Sequence, residues 1–227
     1  MLKTAGILAI LRAKNTDAAI ARGLELCALG CKAIEVTLDT TDWRRVLKTL
    51  AAECPAGVCV GVGTVMDDTV ECLEEIAALG GKFALSPINP TGFIVEAHRL
   101  GLLAVPSALS SNEMWQMHRD GAQMVKMFHA GIVGFKNLKS MNGVSPFGNA
   151  LSIMPSGGVA PENAEAWLDA GACVFGMGSN LAGSDINHPF GTPEYDAAKA
   201  TWDASGIASA KTLFEMVGAR FFDAPKI

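Results

Sequence analysis

No stretch of this chain reaches the roughly 18 uninterrupted apolar residues expected of a membrane-spanning helix. The N-terminal run in MLKTAGILAIL is short, is followed by Arg12 and Lys14, and lacks a cleavage-site pattern, so neither a signal peptide nor a membrane contact is expected. Charge is scarce as well: Asp, Glu, Lys and Arg make up 18% of 227 residues. Basic residues number 18 against 23 acidic ones, for a net charge of -5 and a pI near 5.4. That leaves no general basic footprint for nucleic acid, although a local positive pocket can still take a small anion. The six cysteines (Cys27, Cys31, Cys54, Cys59, Cys72, Cys173) form no C-x-x-C pair and sit mostly in apolar runs. They read as reduced thiols of a cytoplasmic protein, with an organellar address left open. His98, His118, His129 and His188 show no ligand spacing, and Glu35 with Asp39 is a thin basis for Mg²⁺; no metal or other cofactor is expected.

What the chain does have is an apolar half, 50% of its residues, which excludes intrinsic disorder and calls for a large core. Short β-like runs alternate with helix-like segments. Eight strands are expected: Ala5–Leu11, Ala33–Leu38, Val58–Val62, Phe83–Leu85, Leu102–Val105, Gln123–Phe128, Leu151–Met154 and Ala172–Phe175. Helices are expected over Asp17–Leu29, Thr41–Glu53, Asp67–Leu79, Thr91–Leu100, Ser110–Arg119, Gly134–Met141 and Pro161–Ala170, with a last one from about Pro193 to Val217. Asp17, Ser110 and the Ala160-Pro161 step read as helix starts; Gly30, Gly80, Gly101, Gly121 and Gly171 read as stops. Alternating β and α units imply parallel strands joined by crossovers. Eight such units fit a closed (β/α)8 TIM barrel better than an open sheet. No linker divides the chain, so residues 1–227 are read as one domain, with 184–227 a loop plus a C-terminal helical extension.

Two strands carry charges that a core should not contain. In Ala33–Asp39, Ile34, Val36 and Leu38 form one apolar face, which leaves Ala33, Glu35, Thr37 and Asp39 facing the barrel axis. Glu35 is then a buried carboxylate, costly unless paired or functional. Lys126 stands mid-strand in Gln123–Phe128, where lysine is rare without a partner. A desolvated lysine loses its proton more readily and can form a Schiff base with a carbonyl substrate. Each has a plainer reading: an internal ion pair for Glu35, a lysine snorkelling to the rim for Lys126. The Ser156-Gly157-Gly158 and Gly176-Met177-Gly178-Ser179 turns follow the last two strands, where barrels often hold phosphate on backbone N–H groups. Arg12, Thr64, Ser86-Pro87 and Pro106-Ser107 end other strands at the same rim. Arg12 can hold a carboxylate or phosphate bidentately, or simply form a rim salt bridge.

Taken in order, several segments resemble one family. They are Ala9–Arg12, Ile34–Leu38, Gly61–Val65, Leu85–Pro87, Val125–Phe128, Pro155–Val159, Pro161–Asn163 and Gly176–Ser179. The chain resembles the class I aldolases acting on 2-keto-3-deoxy-6-phosphogluconate and its 6-phosphogalactonate epimer. The resemblance implies a lyase of Entner–Doudoroff-type carbohydrate metabolism. It would be a metal-free homotrimeric barrel that cleaves the phosphorylated keto-deoxy sugar acid to pyruvate and glyceraldehyde 3-phosphate. Lys126 would form the Schiff base and Glu35 would be the general acid/base. Thr64 would contact the pyruvate half; Ser156, Gly157, Gly158, Gly178 and Ser179 would hold the phosphate, and Arg12 and Pro87 are counted among the substrate-binding residues at the rim. Three features depart from the family: Asp39 where the gluconate enzymes carry Arg and the galactonate enzymes often Asn, His129 where Pro follows Phe, and the stretch from Ser184. A negative charge at Asp39 should repel a substrate carboxylate unless Arg12 neutralises it. Two other functions fit the residues alone: a phosphosugar epimerase or isomerase using Glu35 as base, and a non-catalytic metabolite-binding barrel.

Overall fold

The computed structural model describes residues 2–66, 69–145 and 147–222. The fold is α/β with a curled parallel sheet, half of a barrel. Six strands lie in the order β5-β4-β3-β2-β1-β9: β1 (Gly6–Leu11), β2 (Ala33–Thr37), β3 (Cys59–Gly63), β4 (Phe83–Leu85), β5 (Leu103–Val105) and β9 (Val174–Met177). A second parallel sheet contains β6 (Ser107–Ala108), β7 (Met124–Met127) and β8 (Ser152–Pro155). A bridge pairs Ser156, just after β8, with Gly176 of β9.

The fifth strand ends at Val105, as expected, but a further short strand follows Pro106. Pro106 has no N–H to give the ladder, so β5 stops at Val105 and resumes as β6. The Pro106 carbonyl still accepts from Lys126 N at 2.8 Å, which keeps β7 in register beside the break. The last strand begins two residues later than expected, so Gly176 and Met177 belong to β9 and the turn starts at Gly178. Asn15, not Asp17, caps α1 (Thr16–Ala28), its Oδ1 accepting from Ala18 N at 3.0 Å. Ser110 does cap α5 (Ser111–Arg119), through a capping box with Glu113. Asp67, expected to open the third helix, lies outside the described residues, as do Met1 and residues 223–227. Helices α2 (Trp43–Glu53), α3 (Thr69–Ala78) and α4 (Phe93–Arg99) follow their strands as expected; α6 (Ala130–Val133), α7 (Phe135–Asn142) and α8 (Phe147–Ala150) follow β7, and α9 (Ala164–Asp169) follows β8.

Two apolar layers explain the strand alternation. Ile34 and Val36 join Leu26, Val46, Leu47 and Leu50 in the core between sheet and helices. Leu8, Ala33, Cys59, Phe83, Leu85, Val105, Met124, Met154 and Val174 form a second cluster on the concave side. Glu35 and Lys126 share strand parity with Ala33 and Met124, and so face that concave side. Asp39, in contrast, lies beyond the end of β2 and is exposed.

After α10 (Ser179–Ala182), the stretch expected to be a surface loop is partly core. Asp185 and Ile186 are buried in a single 3-10 turn. Helix α11 (Pro193–Thr201), a π turn at Trp202–Gly206 and α12 (Ile207–Phe222) complete the extension. Among the described residues, no helix is long and apolar enough to cross a membrane. None of the six cysteines is joined in a disulfide.

Candidate active site

At the C-terminal ends of the strands lies a cavity of about 270 Å³. Its lining includes Arg12, Glu35, Thr64, Pro87, Lys126, Ser156, Gly157, Gly158, Gly178 and Ser179. All ten residues singled out from the sequence therefore converge on one space, from positions on or just after seven strands far apart in the chain. Gly176, from the expected phosphate turn, also lines it, as do Ile10, Phe128, Val159 and Asn180, which were given no role. Phe128 was legible, because it continues the Met124-Lys126 parity, and its ring centroid lies 5.1 Å from Lys126 Nζ.

Glu35 is 1% exposed and Lys126 6%. Glu35 Oε2 has no hydrogen-bond partner among the described residues. An unpartnered buried oxygen is costly, and sites that tolerate one are commonly functional. Burial pushes the Glu35 carboxyl above its usual range; Lys126 and Arg12 pull it down and Asp39 pushes it up, with a net rise. A carboxyl that holds its proton more tightly than usual suits a group that must both give and take one.

The same rise makes a statement about stability. The folded protein holds the Glu35 proton at pH values where the unfolded chain has released it. Stability is therefore lost as pH rises from the unfolded value of about 4.5 toward the higher folded one. Glu35→Gln should be more stable than the parent at pH 7 and converge with it near pH 4. The gap should be about 1.4 kcal/mol for each unit by which the folded value exceeds the unfolded one. Thermal melts between pH 4 and pH 8 check this; a gap that widens toward acid contradicts it.

Gly63 makes room for that carboxyl. A Cβ at this position would overlap the Glu35 carboxyl group. Gly63→Ala should therefore displace Glu35, cutting turnover on the order of 10²-fold and costing about 1–3 kcal/mol of stability. Steady-state kinetics and urea melts on the variant measure both. The next residue, Thr64, is held at φ +69°, a left-handed conformation that β-branched residues avoid. Such strain persists where the surroundings hold a side chain to a task.

Arg12 Nη2 lies 3.5 Å from Thr64 Oγ1, and Arg12 Nε meets Asp39 at 2.9 Å. Burial alone would raise Asp39, but the Thr37 hydroxyl and the Arg12 guanidinium outweigh it and hold the carboxyl below its usual range. Arg12 is thus both a cavity residue and a rim salt bridge. At the opposite side, Ala130 N donates to Ser156 O at 2.9 Å and Gly131 N to Gly157 O at 2.8 Å. These bonds fasten the Ser156-Gly157-Gly158 turn to the chain just after β7. Gly157 and Gly158 have φ near +80°, and a Cβ on Gly157 would strike the His129 ring. No group of three or more His, Cys, Asp or Glu placed to hold a metal ion occurs among the described residues.

A buried amine and a buried carboxyl lining one cavity can bind a carbonyl carbon covalently and move protons along the adduct. On a curled parallel sheet with glycine-rich turns opposite, that is the equipment of a lyase of the aldolase class. The chain belongs to the KDPG and KHG aldolase family, whose family model matches residues 1–192. It is 27% identical over 175 residues to the 2-dehydro-3-deoxy-6-phosphogalactonate aldolase of Escherichia coli (strain K12), covering 77% of this chain and 83% of that one. It is 30% identical over 175 residues to the probable 2-dehydro-3-deoxy-6-phosphogalactonate aldolase of Rhizobium meliloti (strain 1021), covering 77% and 81%. Among solved structures it resembles the KDPG aldolase of Legionella pneumophila, captured with pyruvate at low pH as a covalent carbinolamine intermediate. That likeness has a TM-score of 0.74 at 24% identity, over 95% of each chain.

Proposed function

We propose that this protein is a class I aldolase that reversibly cleaves 2-keto-3-deoxy-6-phosphogluconate, or its 6-phosphogalactonate epimer, to pyruvate and glyceraldehyde 3-phosphate. The observation that carries the reading is the buried pair of Lys126 and Glu35 in one cavity. Lys126 Nζ attacks the C2 ketone to give a carbinolamine, which loses water to leave an iminium ion. That cation accepts the electron pair released when the C3–C4 bond breaks. Glu35, acting through a water, takes the C4 hydroxyl proton and later returns a proton to C3 of the enamine. Glyceraldehyde 3-phosphate departs, and hydrolysis of the remaining imine frees pyruvate and the lysine. Arg12 and Thr64 take the carboxylate end, with Pro87 beside them. Ser156, Gly157, Gly158, Gly178 and Ser179 take the phosphate, whose binding far from the reacting bond supplies orientation.

The scaffold belongs to the same proposal: one domain, a closed (β/α)8 barrel. Support comes from the Ser156–Gly176 bridge between the sheets, the direct chain continuity from β5 through Pro106 to β6, and the concave cluster drawing on both sheets. A homotrimer is proposed as well. Exposed Ile88, Leu109 and Phe128 beside the cavity are apolar surface that a second subunit would cover. A cytoplasmic setting fits six scattered cysteines that form no disulfide.

Pyruvate release from the two epimeric phosphates, assayed side by side, tests the function. Pyruvate from at least one is expected. Interconversion of epimers without pyruvate would place the chain with the phosphosugar epimerases instead. Glu35→Gln should slow cleavage by about 10²–10⁴-fold, while borohydride still traps pyruvate on the enzyme.

A further inference from the structure

The Arg12–Asp39 pair is held more firmly than its exposure suggests. Both side chains are at least half exposed, and such pairs contribute little stability. Yet their backbones are fastened to each other on both sides of Arg12. Thr40, buried next to Asp39, donates its hydroxyl to Leu11 O at 3.0 Å and accepts from Ala13 N at 3.2 Å. Thr37 Oγ1 donates to Leu11 O at 3.3 Å, and Thr41 N donates to Ala13 O at 2.9 Å. The turn after β2 and the loop after β1 are thereby joined, with Arg12 and Asp39 standing side by side. Asp39 uses only Nε of the guanidinium, its two oxygens at 2.9 and 3.1 Å. The Nη edge is left for the cavity, where Nη2 reaches Thr64.

We propose that Asp39 is a positioning residue for substrate recognition: it holds Arg12 by Nε so that the Nη edge, beside Thr64, grips the carboxylate of a 2-oxo acid. This rests on the aldolase reading and adds to it. Asp39 also cancels the Arg12 charge at the rim, so the clamp selects by geometry more than by net attraction. A planar carboxylate alpha to the reacting ketone fits two parallel N–H donors. The negative charge at Asp39, which by itself would repel that carboxylate, is absorbed by the residue that binds it.

The test is a double-mutant cycle on the intact chain, with wild type, Asp39→Ala, Asp39→Asn, Arg12→Ala and the Asp39→Ala/Arg12→Ala double variant. Two quantities are read: KM against kcat for cleavage, and the pyruvate concentration giving half-maximal borohydride trapping. Asp39→Ala should raise both KM and the trapping midpoint about tenfold, with kcat within about threefold. Asp39→Asn keeps an acceptor oxygen for Nε and should fall between. The double variant should be no worse than Arg12→Ala, and melting temperatures should stay within about 2 °C of wild type. A lower KM in Asp39→Ala, or effects of the two single variants that multiply in the double, would overturn the proposal. So would an unchanged Asp39→Ala in a wild type that traps normally, and that result leaves the aldolase reading standing. Failure of the wild type to trap pyruvate would remove the aldolase reading and this proposal with it.

Discussion

Lys126→Met should release no measurable pyruvate from either epimeric phosphate, a loss on the order of 10⁴-fold or more. Sodium borohydride with pyruvate should reduce an imine onto Lys126 of the parent protein and leave the variant unlabelled. Methionine suits the test because it keeps an unbranched stem of similar length without the amine. The site is 6% exposed among Met124, Met154 and neighbouring apolar side chains, so the stem should remain packed. Taking an ammonium out of an apolar layer removes a desolvation cost, and the variant should melt no lower than the parent. It also removes a cation that pulls the Glu35 carboxyl down. Glu35 should therefore titrate still higher in Lys126→Met, and carboxyl proton exchange followed by NMR across pH can detect it. Labelling at a different lysine would sink the mechanism while leaving the family membership untouched.

How far this site could be read from the sequence depended on what kind of signal each residue gave. Glu35 and Lys126 were legible because strand parity has period two, and a charge in an apolar strand contradicts its surroundings wherever it falls. The glycine turns were legible because they follow strands late in the chain, where phosphate loops commonly form. Residues whose importance lies in a neighbour's shape were not. Gly63 matters because of where the Glu35 carboxyl goes, and nothing local in Gly61-Val62-Gly63 says so. The break at Pro106 hides because a proline after three apolar residues reads as a strand end, not as a pause within one. Asn15 won the cap over Asp17 through a two-residue difference in where helical dihedrals begin. The parity argument also overreached by one step, carrying Asp39 to the barrel axis when β2 had already ended at Thr37.

The pairing furthest from legibility is expected to be among the costliest to break. Arg22, on α1, is 4% exposed and binds Asp185, 163 residues away and 2% exposed, through two parallel bonds of 3.1 and 2.9 Å. The same guanidinium donates to Ala182 O and to Glu25, and lies 3.7 Å from the Trp202 ring centroid. Trp202 Nε1 in turn donates to Glu25 at 3.0 Å. One arginine thus fastens the extension, which runs past the end of the family match at residue 192, to the first helix. Arg22→Ala should cost about 3–5 kcal/mol, because it leaves Asp185 buried and uncompensated. Asp185→Ala should cost a similar amount for the mirrored reason. Replacing both, as Arg22→Met with Asp185→Leu, should recover much of the loss, since a buried ion pair can be matched by well-packed apolar groups. The damage should also reach the active site. Ala182 ends the short helix that begins at Ser179, and Ile186 O accepts from Lys14 N at 2.8 Å, two residues from Arg12. Loosening Arg22 should therefore raise KM for the phosphorylated substrate more than it lowers kcat, and expose residues 193–222 to limited proteolysis first. Urea unfolding of the three variants, with cleavage kinetics on those that fold, measures each part. An Arg22→Ala protein within about 1 kcal/mol of the parent would show that the extension is held by its apolar contacts at Trp202, Ala210, Leu213 and Val217 alone.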